Sequence, residues 1–452
     1  MVNYKLIGHA LNRKTQLDLS ESDCGLGIYA PTIRYHKGRF YLVCTDVGGI
    51  DNFVMVSNAP EGPWSDPYPL EDAEGIDPSL FFDDDGKCYF MATRQKHQSK
   101  RYGDNEIWIQ EFCTDTLKLT GPKRVIWQGT MQNSVWCEGP HIYKKDGYYY
   151  LFTSEGGTSY EHSIMVARSK CITKPFEGCP NNPILTHRHL GKDYPIACTG
   201  HCDLVDTPKG KWYMVLLATR PIDGHYTNLG RETFLAEVDW ENDWPVVNKG
   251  RGVIEEQSPF PELREYKTTE EKGIKRFDAS CLDGSLIWLR QQGPHSFDKQ
   301  NGYMRLFADG QFNMMCTRRT DFDFTVTSAF KPNMTSGECG IALFQNDENY
   351  LSFNSSDHIL QVVMVKGGEK QILHKLDYNG SLLQVQLKVS RQKAIFLLSG
   401  HPLGEEIDIS CLSPEIAGGF TGNCIGMYTN GDIGYADFVF FEYKKDTDCN
   451  TD

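Results

Sequence analysis

The chain has 452 residues, 40% hydrophobic and 23% charged, with a formal net charge of −14. That is an ordinary soluble composition with core material for two or three domains. The acidic balance argues against a nucleic-acid binder, which needs a basic face, and no stretch approaches the ~18 apolar residues of a membrane helix.

At the N-terminus, MVNYKLIGHALNRK lacks a basic segment followed by an apolar run and a small-residue cleavage site. No signal peptide is read there, and a cytoplasmic location is expected. The 15 cysteines are odd in number and irregularly spaced, several inside apparent strands (Cys44, Cys88, Cys113), and they read as buried free thiols of a reducing compartment. Cys198-Thr-Gly-His201-Cys202 has no second Cys/His pair at zinc-site spacing, so structural zinc is not expected.

From Ala30 a repeat begins. APTIRYHKGRFYLVCT, DPSLFFDDDGKCYFMAT, GPHIYKKDGYYYLFTS and HCDLVDTPKGKWYMVLLAT each place an aliphatic residue first (Ile33, Leu80, Ile142, Leu204). A turn glycine follows (Gly38, Gly86, Gly147, Gly210), then aromatic residues and a closing threonine (Thr45, Thr93, Thr153, Thr219). Each unit reads as a β-hairpin. The spacing runs from 47 residues (Ile33 to Leu80) to 63 (Gly147 to Gly210), which suggests propeller blades. The segment before Tyr29 has no matching hairpin, so the first blade is expected to be incomplete. The fold class is all-β: a five-bladed propeller over residues 1–255, a linker over 256–274 marked by SPFPELREYKTTEEKGIKR, and an antiparallel β-sandwich over 275–446 built from segments such as FTVTSAF, YLSFN and LLQVQLKV.

The repeats carry chemistry where they differ. Inner propeller strands converge on the axis, so the residues that open each unit, Asp77, Glu138 and His201, should face one pocket. Two carboxyls and an imidazole suit glycoside hydrolysis, in which one protonated carboxyl gives its proton to the leaving oxygen. Asp-Pro and Glu-Gly-Pro are also common turn sequences, and on the repeat alone both readings stand. Asp83-Asp84-Asp85 reads as a solvated turn rather than a calcium loop. His201 could be a core histidine or an axial ion ligand. Arg231 could be an ordinary exposed arginine or a forked donor to vicinal hydroxyls. Tyr29 could stack on a sugar or fill the core.

These segments, with YKLIGHALNRKTQLDL, WCEGPHIYKKDGYYYLFTSEGGTSYEHS and LGRETFL, resemble glycoside hydrolase family 43, in particular its β-xylosidases and α-L-arabinofuranosidases. FDASCLDGSLIWLR, GGFTGNCIGMYTNG and YADFVFFEY resemble the β-sandwich that follows the propeller there. The resemblance implies an inverting, exo-acting β-xylosidase and/or α-L-arabinofuranosidase on xylo-oligosaccharides or arabinosyl side chains. It implies Glu138 as general acid and Asp77 as the group that tunes it. Arg231 and Thr158 are implied on the substrate, with Phe420 on a loop closing the pocket, and Tyr29, just before a unit, is kept as a further candidate substrate contact. His201 is implied as the axial histidine, beside the substrate and a central calcium or water. The family's general base lies in a Pro-Asp-Pro-Ser-like segment upstream of the equivalent of YKLIGHAL, and it is expected to be absent here. Three readings follow: a surrogate base (Asp46 or Asp51) or a second copy of the chain, a sugar-binding propeller with impaired catalysis, or a shortened chain whose parent is active. An open blade edge makes a homo-oligomer an expectation.

Overall fold

A computed structural model of the chain describes residues 5–130, 133–258, 274–277, 284–290, 292–298, 300–378 and 382–446. Most of the linker expected at 256–274 lies outside these. Among the described residues, apart from short helical turns at Ser410–Leu412 and Pro414–Ala417, the regular structure is all strand. The chain forms two compact units. One comprises Met1–Arg220 and Arg231–Tyr266, the other Pro221–Gly230 and Lys267–Asp452.

Among its described residues the first unit holds four antiparallel sheets, one for each sequence repeat. Blade I is built on Thr32–His36, Arg39–Val47 and Asp51–Ser57, and blade II runs Ile76–Phe82, Cys88–Gln95, Asn105–Cys113, Lys118–Trp127. Blade III is built on Glu138–Lys145, Tyr148–Glu155 and Ser163–Ser169. Blade IV runs Ala197–Asp206, Trp212–Thr219, Glu232–Glu241, Trp244–Val247. Among the described residues before Gly27 there is no hairpin. That stretch is held against blade I by Arg13, which donates to the Trp64 carbonyl and pairs with Asp66 at 2.6 Å, and by Gln16, which donates to the Ser65 carbonyl.

Both faces of a blade's inner strands are covered, so strands such as Asp51–Ser57 are buried almost throughout rather than alternating. The blades meet through apolar clusters. Val43, Val54, Leu80, Phe90 and Trp108 pack between blades I and II; Phe81, Met91, Ile142 and Leu151 pack between II and III. Polar ties add register. Asp83 is buried and accepts from Lys144 at 2.6 Å and from the Tyr149 hydroxyl at 2.7 Å. The aspartate triplet is therefore only partly the solvated turn its sequence suggests: its first carboxylate crosses to blade III.

The second unit stacks a nine-stranded sheet on a seven-stranded one. Leu383–Ser390 shows the alternation expected where one face is solvated. Glu338–Asn346 is buried along nearly its whole length. Phe330, Phe353, Phe396 and Phe438 lie fully buried in the core between the sheets. Arg319 is also buried, and it donates to the carbonyls of Asp321, Phe322 and Arg391.

Candidate functional site

Three inner strands of the first unit begin irregularly at the same end. Pairing shifts register between Ile76 and Ser79, between Glu138 and His141, and from Ala197 through Gly200 to Asp203. The backbone there takes positive φ at Asp77 (56°), Gly139 (59°), Cys198 (56°) and His201 (48°). Side-chain-bearing residues pay about 1–3 kcal/mol each for that conformation. Bulges of this kind re-aim side chains off the sheet. The regularity of the repeat thus breaks at Asp77, Glu138 and His201, the residues singled out from the sequence.

The breaks are stitched to one another. The Gly139 amide donates to Asp77 Oδ2 at 3.1 Å, Thr93 Oγ1 donates to the Cys137 carbonyl at 2.6 Å, and Ser79 donates to the Pro140 carbonyl. Blade II therefore grips the residues on both sides of Glu138. The His201 amide donates to Ser154 Oγ at 2.6 Å, and the His201 ring lies over Gly139, where an added Cβ would come within 3.1 Å of it. Glycine is required at 139 by the ring and by the positive φ together.

Glu138 is partly buried and accepts from Asn105 Nδ2 at 3.2 Å. Burial pushes its carboxyl up to about 8, the charge of nearby Asp77 adds to this, and Arg231 opposes it. Asp77 itself is buried. Tyr29 donates its hydroxyl to the Gly25 carbonyl at 2.9 Å and is raised above the usual phenol range by burial and by Asp77 and Glu138, against Arg231. Tyr29, Asp77, Glu138 and Arg231 thus share one electrostatic neighbourhood, with His201 behind it. Thr158 lies in the turn joining Tyr148–Glu155 to Ser163–Ser169, at the Glu138 end of blade III, since Glu138 pairs with Ser154. Phe420 belongs to the second unit, 45% exposed and next to Thr421, whose backbone bridges Gly230. Asp51 is exposed at the turn of blade I, whereas Asp46, opposite it in register, is buried.

Sequence reasoning missed several neighbours. Asn105 on Glu138 is one. His162 is another: it is buried, its Nδ1 donates to the Cys198 carbonyl at 3.1 Å, and its ring fills the space over Gly200. Burial pushes its imidazole down to about 3, so it is neutral. Trp136, at positive φ, packs over Gly157 and edge-on against the exposed Tyr102. The second glycine of EGGTSYEHS signals the Trp136 contact and the glycine of CTGHC signals that of His162, since a large ring lying on backbone needs glycine beneath it.

A second polar cluster lies among the inner strands. Arg34 of blade I forks onto Asp203 of blade IV at 2.7 and 2.9 Å, and its Nη2 also reaches His141 Nδ1 of blade III at 2.9 Å. The Tyr143 hydroxyl donates to Asp203 and accepts from the Leu204 amide. Burial pushes His141 down to about 3. Against the cost of its own burial, His141 and Arg34 hold the Asp203 carboxyl down to about 2. The rings of His141 and His201 are 6.4 Å apart. Among the described residues no group of three or more His, Cys, Asp or Glu side chains converges as metal ligands would.

Residues 1–245 match the model of glycosyl hydrolases family 43, and residues 275–444 match that of the β-xylosidase C-terminal concanavalin A-like domain. A xylosidase/arabinosidase of Butyrivibrio fibrisolvens is 43% identical, with 98% of this chain and 91% of that protein aligned. A non-reducing end α-L-arabinofuranosidase of Bacteroides ovatus is 32% identical over 98% of this chain and 87% of its own length. The crystal structure of a xylan β-1,4-xylosidase from Bacillus halodurans superposes with a TM-score of 0.89 at 31% identity, covering 96% of this chain and 90% of that one.

Proposed function

The chain belongs to glycosyl hydrolase family 43 and is a glycoside hydrolase, and we propose that it removes terminal β-xylosyl and α-L-arabinofuranosyl units from oligosaccharides with inversion, Glu138 acting as the general acid. The observation that carries this reading is the carboxyl pair of Glu138 and Asp77. Burial and Asp77 keep Glu138 protonated well above the ordinary carboxylate range, the state a general acid needs before it meets the leaving oxygen. Asp77 is fixed by the Gly139 amide and serves as the negative charge that sets that proton affinity. Arg231 supplies the opposing positive charge and a planar fork suited to paired hydroxyls. As the glycosidic bond lengthens, the proton passes from Glu138 to the departing oxygen while water adds to the anomeric carbon from the other face; the proton that this water loses passes to solvent, from which Glu138 is reprotonated. Tyr29, Thr158 and His201 are proposed on the sugar.

Support for both pentoses comes from the relatives, whose names cover xylosides and arabinosides. The test is hydrolysis of xylobiose and of the 4-nitrophenyl β-D-xylopyranoside and α-L-arabinofuranoside, with the first-formed anomer read by proton NMR. Release of the inverted anomer is expected. Retained configuration, or binding of pentose by calorimetry with no turnover on any of the three, would overturn the proposal.

A further inference from the structure

The sequence resemblance leads to an expectation of calcium at the propeller axis beside His201. The side chains standing there do not fit a divalent cation. A metal ion needs lone pairs, and three of the four on the Asp203 carboxylate and the one on His141 that faces the cluster are in use. The Arg34 guanidinium has no lone pair to offer and can only donate. Its contact at 2.9 Å therefore makes His141 Nδ1 the acceptor, so the one nitrogen that faces the cluster is already committed. Asp203 Oδ2 accepts from Arg34 Nη1, and Asp203 Oδ1 accepts from Arg34 Nη2 and the Tyr143 hydroxyl. The guanidinium also adds a fixed positive charge, which repels a second cation in this low-dielectric setting.

We propose that Arg34 is a built-in substitute for the axial ion, so that this enzyme assembles and turns over without calcium. The geometry supports the substitution. One side chain from blade I joins blade IV through two parallel hydrogen bonds and blade III through a third, the crosslinking a coordinated ion would provide. The cluster sits next to His201, whose ring backs Gly139, and Gly139 in turn holds Asp77 and adjoins Glu138. Arg34 thereby acts as a positioning residue for the acid pair and touches no substrate. Arginine suits the task better than lysine because its planar fork matches a carboxylate.

The experiment uses the whole chain. Calcium per chain is measured by mass spectrometry after dialysis, and melting temperature and hydrolysis rate are followed in EDTA and in CaCl2. The wild type is expected to carry no stoichiometric calcium and to show the same melting temperature and rate in both. Stoichiometric calcium surviving dialysis, or a rate or melting temperature that falls in EDTA, overturns the proposal, and this arm needs no variant. Arg34→Ala leaves Asp203 and His141 facing a vacated cation position. Its melting temperature is expected to drop and then to rise with CaCl2 by mass action. Arg34→Lys, which keeps the charge, is expected to ignore calcium. An Arg34→Ala protein that folds and is indifferent to calcium would also overturn the substitution.

Discussion

Replacing Glu138 by glutamine keeps shape and hydrogen-bonding atoms but removes the proton that the site is built to hold. With its carboxyl pushed up to about 8, Glu138 is about nine-tenths protonated at pH 7, against about 0.3% for a carboxyl of ordinary affinity. The surroundings therefore enrich the acid form by roughly 300-fold. Losing general-acid assistance costs ~10²–10⁴ in rate, so Glu138→Gln should lower kcat/KM on xylobiose by about that factor. On 4-nitrophenyl glycosides, whose phenolate departs with little need of a proton, the loss should be much smaller. The wild-type rate on xylobiose should be steady below neutrality and fall about tenfold per pH unit above pH ~8, as the acid form is lost. The assay is a pH series of kcat/KM for both substrates and both proteins. A mutant that hydrolyses xylobiose within a few-fold of wild type, or that keeps the same alkaline limb, would refute the assignment.

The neighbours of Glu138 should move that limb in opposite directions. Asp77→Asn removes a like charge and should shift it to lower pH, whereas Arg231→Ala removes the opposing charge, should shift it to higher pH and should raise KM; matched pH–rate profiles decide. Because the folded protein holds the Glu138 proton more tightly than the unfolded chain, the stability this contributes is complete below the ordinary carboxylate range and is lost as pH rises through about 8. Glu138→Gln should consequently melt higher than wild type at pH 9 and gain nothing at pH 4, a pattern calorimetry would contradict if the gain were independent of pH. Gly139→Ala forces a side chain into positive φ and into the His201 ring, and should destabilise by at least about 1–2 kcal/mol in urea unfolding; a neutral result would show that the ring is not seated there. Arg319→Met in the sandwich leaves the carbonyls of Asp321, Phe322 and Arg391 without their donor and should cost about 3 kcal/mol; unchanged stability would mean that water or a neighbour satisfies them.

How much was legible in the sequence depended on whether the signal was local. The blades were readable because each hairpin repeats its own turn glycine and aromatic strand. Asp77, Glu138 and His201 were readable because each occupies the same position in a repeat and departs from it. The Arg34 cluster was not, since Arg34 and Asp203 are 169 residues apart and each looks like an ordinary surface charge in its own strand. Asp83 was read as a solvated turn because nothing near it announces Lys144, which arrives from the next blade. Asn105 and His162 likewise acquire meaning only when their blades are closed against Glu138 and Cys198. Local pattern sets the strands; contacts between repeats, which set the chemistry, have no local pattern to betray them.

The chain leaves blade IV between two of its hydrogen-bonded strands. Residues Pro221–Gly230 belong to the second unit, where Thr227 is held by Glu415, and Asn228 is buried among Gln392 and Asn423. Gly230 and Gly422 approach so closely that neither admits a side chain. Residues Pro221–Gly230 fold with the second unit although in sequence they lie between two strands of the first. The second unit is thus built from two separate stretches of chain, and transplanting its C-terminal stretch without this loop would remove the hydrogen bonds that the loop makes with Glu415, Gln392 and Asn423.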